Sequence, residues 1–358
     1  MSSDKIIAHY DIPWRQVLNQ DGVLVGDWPE NVAADEAKTL YEWMVKVRHF
    51  DKKAIALQRT GKLGTYPSVK GAEAFTVGTG MAMETDDVLC PYYRDVGAQL
   101  IRGVKMEEVL LYWGGDERGS QFEHCPRDFP ICVPIASQTL YGAGAAFALK
   151  HQKTANVVVA TIGDGGTSRG DFYEAMNVAA VWSLPIVFVV NNNQWAISVP
   201  YDSQTGAQTL AQKGLAAGIQ GIQIDGNDVI GVLSETRKAI AHARSGKGPA
   251  LIEMMSYRMS DHTTADDASR YRPTGELEEN SSKDPIQRMR TYLENTQQWD
   301  DKKEQILNQN VTAAIESSVK NYLETPPQSP ESAFESLYHT LPEVYLDQWE
   351  TLKGRRNG

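Results

Sequence analysis

The clearest apolar blocks in the chain are two continuous runs, Val157-Val-Val-Ala-Thr-Ile162 and Pro185-Ile-Val-Phe-Val-Val190. Both are rich in β-branched residues and lack the alternation of a half-exposed strand, so they predict parallel strands buried on both faces. Between them, Phe172, Met176, Ala179 and Ala180 fall on one helical face, and Ser168 precedes Asp171 at capping-box-like spacing. That pattern predicts a helix over 167–182 and a β-α-β unit. A helix over 229–243 and a strand, Ala250-Leu-Ile-Glu-Met-Met255, follow on either side of the turn Ser245-Gly-Lys-Gly-Pro249. Upstream, Leu40, Trp43, Met44, Val47, Phe50 and Ile55 recur at near-helical spacing, which predicts a helix over 35–59 with one buried stripe.

The stretch from Ser260 to Pro273 has little apolar content and reads as a long surface loop. From Asp284 the pattern is helical again, broken by Pro326-Pro327 and Pro330, and it ends in a charged tail. The expected organisation is a helical N-terminal arm over 1–60, one α/β domain over 61–275 and a helical C-terminal extension over 276–358. In the α/β domain a mostly parallel sheet is covered by helices on both faces.

Composition narrows the function classes. A chain of 358 residues with 41% hydrophobic and 23% charged residues is that of a folded globular protein. Its net charge of −11 disfavours nonspecific attraction to nucleic acid or anionic lipid. The apolar runs fall far short of the roughly 18 residues of a spanning helix. The start, Met1-Ser-Ser-Asp-Lys5, lacks the apolar core of a secretory signal, so the expected compartment is the cytoplasm. Cys90, Cys125 and Cys132 are too few for a disulfide framework. His124 and Cys125 with Cys132 supply three metal ligands where a structural zinc site uses four, so ordinary packing is the better reading.

The chemistry gathers at two strand ends. One strand runs into Gly163-Asp164-Gly165-Gly166 and the next into Asn191-Asn192-Asn193, at the edge where open α/β sheets bind ligands. Glycines beside Asp164 let backbone approach a phosphate, and a helix starting near Ser168 aims its amide dipoles at the same place. Asp164 and Asn193 add two oxygen ligands suited to magnesium held through phosphates. Taken singly, Gly-Asp-Gly is more often a plain turn and an asparagine pair a loop cap. A dinucleotide site is the rival, but no G-x-G-x-x-G is present, and Gly142-Ala-Gly144 is broken by Phe147; its two glycines fit tight helix packing instead.

Gly163-Asp-Gly followed by Asn192-Asn193 is similar to the pattern of thiamin diphosphate enzymes. The longer runs Gly163 to Asn177, Asn192 to Ser198 and Asp225-Gly-Asn-Asp228, with Tyr93-Arg-Asp95 and the segment from Tyr257-Arg258 through His262 to Tyr271-Arg272, resemble the alpha subunits of 2-oxo acid dehydrogenases. The likeness covers residues 20–350 and is nearest to bacterial pyruvate dehydrogenase alpha chains, then to branched-chain enzymes and acetoin dehydrogenases. It implies the thiamin diphosphate-binding fold, with magnesium on Asp164, Asn193 and the carbonyl of Trp195. It also implies diphosphate contacts from Tyr93, Arg94 and Arg258, and a catalytic role for His262 near the diphosphate at the active-site entrance. Ile135, a core residue by its own pattern, matches the residue that wedges the cofactor into a bent shape, and Ser137 and Gln138 align with potassium ligands. Two departures stand out: Trp195 replaces a tyrosine or phenylalanine, and Asn191 sits at a variable position.

The cofactor-activating glutamate of that family lies on a second α/β domain that these residues lack. The resemblance therefore implies a beta subunit, a heterotetramer of two alpha and two beta chains, a small 2-oxo acid substrate, and transfer of the acyl group to a lipoylated dihydrolipoyl acyltransferase. A noncatalytic scaffold that kept the fold is the non-enzyme alternative, disfavoured by the intact ligand set.

Overall fold

The computed structural model describes residues 7–335 and 337–354. Eight strands are present among them: β1 (Trp14–Arg15), β2 (Val88–Cys90), β3 (Val158–Gly163), β4 (Ile186–Asn192), β5 (Trp195–Ala196), β6 (Val199–Pro200), β7 (Gly221–Asp225) and β8 (Ala250–Met255). Six of them form one sheet in the order β1-β7-β8-β4-β3-β2, every pairing parallel. The other two, β5 and β6, make a small antiparallel hairpin just past β4.

Side-chain alternation divides the central strands between two cores. Val159, Val187, Val189, Ile252 and Met254 face the larger one. That core is completed by α1 (Glu36–Arg59), α2 (Glu73–Ala82), α3 (Val96–Arg102) and α4 (Met106–Trp113), and from later in the chain by α9 (Val229–Arg244), α11 (Pro285–Asn295) and α12 (Asp301–Glu324). Val158, Ala160, Phe188, Val190 and Leu251 face the smaller core, covered by α5 (Ser137–His151) and α6 (Gly170–Val181). There Phe172 meets Phe188 edge to face at 6.0 Å, each fully buried ring contributing about 1.5–3 kcal/mol. Short helices α7 (Tyr201–Gln204), α8 (Lys213–Ala216) and α10 (Glu276–Ser281) lie in the connections. No described helix is long and apolar enough to cross a membrane.

The stripe Leu40, Met44, Val47 and Phe50 of α1 is fully buried, as its spacing predicts. The helix predicted over 167–182 starts later, at Gly170. Residues Asp164–Ser168 form a tighter 3-10 turn, closed by Thr167 Oγ1 donating to the Asp164 carbonyl at 2.7 Å. Ser168 is therefore no cap, and its hydroxyl oxygen accepts from Gln204 Nε2 at 2.6 Å. Strand β4 runs on through Asn191 and Asn192, which pair with Met254 and Met255 of β8. Gly142 does allow close packing, since a Cβ there would lie 3.1 Å from Ala160 Cβ, but Gly144 faces open space.

The run Asp225-Gly-Asn-Asp228 ties distant segments to the sheet. Asp228 Oδ2 accepts from the backbone N–H groups of Val17 (2.6 Å) and Leu18 (3.0 Å). Asp225 Oδ2 accepts from Gln16 Nε2 and from Arg288 Nη1 of α11, both at 2.7 Å. A Cβ on Gly226 would sit 2.8 Å from the Met255 carbonyl, so this turn requires glycine.

Candidate active site

The carboxyl ends of β3 and β4 open into a cavity of ≈ 490 Å³. Its lining brings together Tyr93, Arg94, Gly163 to Gly166, Asn193, Trp195 and His262, with Trp113, Val133, Ile135 and Ile197 as apolar surface. Asp164 is the sole carboxyl group among its described lining residues.

Asp164 is 2% exposed, and its Oδ2 is buried without a hydrogen-bond partner. Burial raises its pKa to about 6, against the pull of the Gly165 N–H and the positive fields of Arg258 and Arg94. An orphaned buried carboxylate oxygen facing a cavity suits a cation. The glycines beside it are required by space: a Cβ on Gly165 would lie 2.6 Å from Ala196 Cβ, and one on Gly166 would lie 2.6 Å from Ile162 Cγ1. Gly163 is less constrained, its nearest neighbour being the Tyr92 ring at 3.5 Å.

The three consecutive asparagines point three ways. Asn191 donates to Tyr92 OH (2.8 Å) and accepts from Ser256 Oγ (2.6 Å) on one face of the sheet. Asn192 donates to Glu253 Oε1 (2.7 Å) on the other. Asn193 lines the cavity, and its Oδ1 accepts the Trp195 N–H at 3.2 Å. Between them Gln194 takes a left-handed conformation, φ +71°, that turns the chain into the β5–β6 hairpin. Asp164, the Asn193 amide and the Trp195 carbonyl thus offer a carboxylate, an amide oxygen and a backbone oxygen at one cavity, a donor set suited to magnesium. Among the described residues no three His, Cys, Asp or Glu side chains gather as a metal cluster.

Arg94 is buried and donates only to neutral acceptors: the Ser68 carbonyl (2.6 Å), the His262 carbonyl (2.6 Å) and His262 Nδ1 (2.9 Å). Burial and the two flanking guanidinium groups, Arg94 and Arg258, push the His262 pKa down to about 3. The ring is neutral, and because Arg94 can only donate to Nδ1, its proton sits on Nε2. Arg258 is 2% exposed and stands behind the lining, bonded to the carbonyls of Trp195 (3.3 Å) and Ile197 (2.8 Å) and to Tyr271 OH (2.7 Å). Arg94 and Arg258 accordingly put cationic charge close to Asp164, a setting that suits a phosphate together with a metal ion.

The family described as Dehydrogenase E1 component matches residues 41–331. The chain belongs to that family. Three pyruvate dehydrogenase E1 component alpha subunits are similar to it. The protein of Staphylococcus aureus is 38% identical over 96% of this chain and 93% of its own. That of Acholeplasma laidlawii is 42% identical over 84% and 88%, and that of Mycoplasma genitalium 36% over 94% and 95%.

Several features of this E1 chain are not visible in its pattern of residues. Ile135, a core residue by pattern, is 44% exposed and projects at the cavity, its Cγ2 3.3 Å from where a Cβ on Gly166 would be. The cause is Ala136, whose φ of +72° turns the preceding chain away from α5. Trp195 is anchored from outside the cavity by its Nε1 donating to Glu276 Oε1 at 2.9 Å. Gln138 lines the cavity with its Oε1 unpartnered while its Nε2 donates to the Thr161 carbonyl at 2.7 Å, and Ser137 opens α5 beside it. Trp113, Val133 and Ile197 have no sequence signal that marks them as lining. The stretch from Ser260 to Pro273 is a surface loop, as expected, and it is stitched down by hydrogen bonds. Ala268 is buried, the Thr264 N–H donates to the Tyr66 carbonyl (2.9 Å), the His262 N–H to Asp266 (2.8 Å) and Arg272 to the Ser260 carbonyl (2.8 Å).

Proposed function

We propose that this chain is the alpha subunit of the decarboxylating component of a 2-oxo acid dehydrogenase complex, with pyruvate as substrate and the cytoplasm as its compartment. One observation carries the reading: the orphaned Asp164 oxygen, the Asn193–Trp195 turn and the Arg94–His262 pair all face one cavity at the strand ends. Thiamin diphosphate, when bound, supplies the carbanion nucleophile and the electron sink for decarboxylation. Asp164, Asn193 and the Trp195 carbonyl would hold magnesium. Tyr93, Arg94 and the His262 Nε2–H would meet the diphosphate, with Gly163, Gly165 and Gly166 clearing its approach and Arg258 adding charge from behind. Ile135 would set the cofactor's bend, and Ser137 with Gln138 is the place for a potassium ion.

The rest of the cleft would come from a beta subunit in a heterotetramer of two alpha and two beta chains. Leu140, Tyr141 and Phe147 of α5, with Val178 and Val181 of α6 and the adjacent Trp182, are exposed on a pair of packed helices, the kind of apolar surface a second chain covers. The product acyl group would pass to a lipoyl-lysine of the acyltransferase. Co-purified with its beta subunit, the chain should turn over pyruvate in preference to branched-chain 2-oxo acids with an artificial electron acceptor. Purified alone it should show none. Activity of the single chain, or preference for a branched substrate, overturns the corresponding part of the reading.

A further inference from the structure

Glu253 lies in the middle of β8, fully buried, in register with Val190 of β4 and Gln223 of β7. Its side chain points to the face covered by α5 and α6, and both of its oxygens are used. Oε1 accepts from Asn192 Nδ2 at 2.7 Å, and Oε2 accepts the Ala211 N–H at 3.0 Å. Asn192 in turn uses its Oδ1 to accept from Gln194, the backbone N–H at 3.3 Å and Nε2 at 2.8 Å. An asparagine amide can fit its slot in two orientations related by a flip. A carboxylate only accepts, so Glu253 permits only the orientation that gives it the NH2 group and leaves the oxygen for Gln194.

We infer that Glu253 is a positioning residue: by fixing the orientation of the Asn192 amide, it holds Gln194 in its left-handed conformation and so aims Asn193 and the Trp195 carbonyl at the cavity. The inference rests on the proposed magnesium site. It assigns a polar function to a buried carboxyl group in the sheet that touches none of the proposed ligands directly.

Polarity makes the inference testable. In E253Q, a side chain of the same shape presents one donor. If that donor faces Asn192, the asparagine amide must flip and put its NH2 against the Gln194 N–H; if it faces Ala211, two N–H groups collide. In N192D, two carboxylates face each other. In the double variant E253Q/N192D, the introduced amide donates to the introduced carboxylate, that carboxylate accepts from Gln194, and the bond from the Ala211 N–H survives. The bonds to Glu253's two partners and to Gln194 are then restored, with the polarity of the central one reversed; only the long contact from Asn192 Nδ2 to Met255 Sδ, 3.4 Å, is lost.

The measurement is manganese(II) affinity by EPR, with thiamin diphosphate, on the full chain co-expressed with its beta subunit, alongside melting temperature. Each single variant should weaken the metal about 10–100-fold, the range seen when outer-sphere partners of metal ligands are lost. The double variant should recover to within about threefold. Turnover at saturating metal should stay near wild type in all. N192D leaves the Glu253 to Ala211 bond in place and gives the same comparison if E253Q is not recovered folded. Wild-type affinity in E253Q, or a double variant no better than the single ones, overturns the role of Glu253. A wild-type protein that binds no metal overturns the magnesium reading itself, and the inference with it.

Discussion

Arg94 Nη2 holds His262 at two points, donating to its ring Nδ1 at 2.9 Å and to its backbone carbonyl at 2.6 Å. The same guanidinium reaches back to the Ser68 carbonyl through Nη1. One planar side chain thus spans the segment before α2 and the segment after β8, closing the polar end of the cavity.

R94K removes that span, because a single ammonium cannot reproduce two separated donor directions. Cleavage by trypsin after the exposed Arg270 should become several-fold faster than in wild type, while cleavage elsewhere is unchanged. Equal rates in the two proteins would mean that the other bonds of the 258–272 segment, such as Thr264 to Tyr66, are enough to hold it.

D164N keeps the shape of the turn and removes a buried carboxyl whose desolvation is only partly compensated without metal. Its melting temperature without cofactor should equal or exceed that of wild type. The stabilisation that magnesium and thiamin diphosphate give wild type, about 2.7 kcal/mol at a hundredfold excess over the dissociation constant, should vanish. Differential scanning fluorimetry with and without both ligands reads the two effects separately.

Asp95 supplies a pH dependence. It is fully buried beneath the Tyr92 to Arg94 turn, accepting from the Tyr92 N–H at 2.9 Å and from Thr161 Oγ1, and burial raises its pKa to about 8. Between roughly pH 4, where an unfolded aspartate ionises, and pH 8, the folded protein keeps a proton that the unfolded chain has released. This group therefore makes the fold less stable as pH rises through that window. D95N places an amide where the protonated carboxyl was and has no such slope. Its melting temperature, relative to wild type, should climb steadily from pH 5 to pH 8; a flat difference would show that Asp95 is ionised in the fold.

I135A should separate stability from chemistry. A fully buried isoleucine cut to alanine costs about 2–5 kcal/mol, but Ile135 is nearly half exposed, so urea unfolding should show well under that loss. If its side chain shapes the bound cofactor, kcat of the assembled enzyme should fall at least about tenfold with a smaller change in thiamin diphosphate affinity.

The two apolar strands, the buried stripe of α1 and the polar clusters at the strand ends are legible in the sequence because each is written in local periodicity or in adjacent residues. What escapes is non-local. Strand β1 is two residues long and owes its existence to partners in β7. Ile135 reads as core because nothing in its own identity announces that Ala136 will turn left-handed. The cavity position of Asn193 follows from Gln194, whose φ is positive although it is neither glycine nor asparagine. Glu253 looks like an interruption in an apolar strand until Asn192 and Ala211 are seen on either side of it.

The N-terminal edge of the sheet carries a consequence for synthesis. Val17 meets Asp228, 211 residues later, and β1 pairs with β7. On the ribosome, β1 must wait until β7 has been made before it has a partner. During that interval the unpaired β1 segment is free to pair with a strand of another nascent chain. Shortening the N-terminus through Leu18 would instead leave the β7 edge open permanently, so aggregation during expression would precede any loss in the active site.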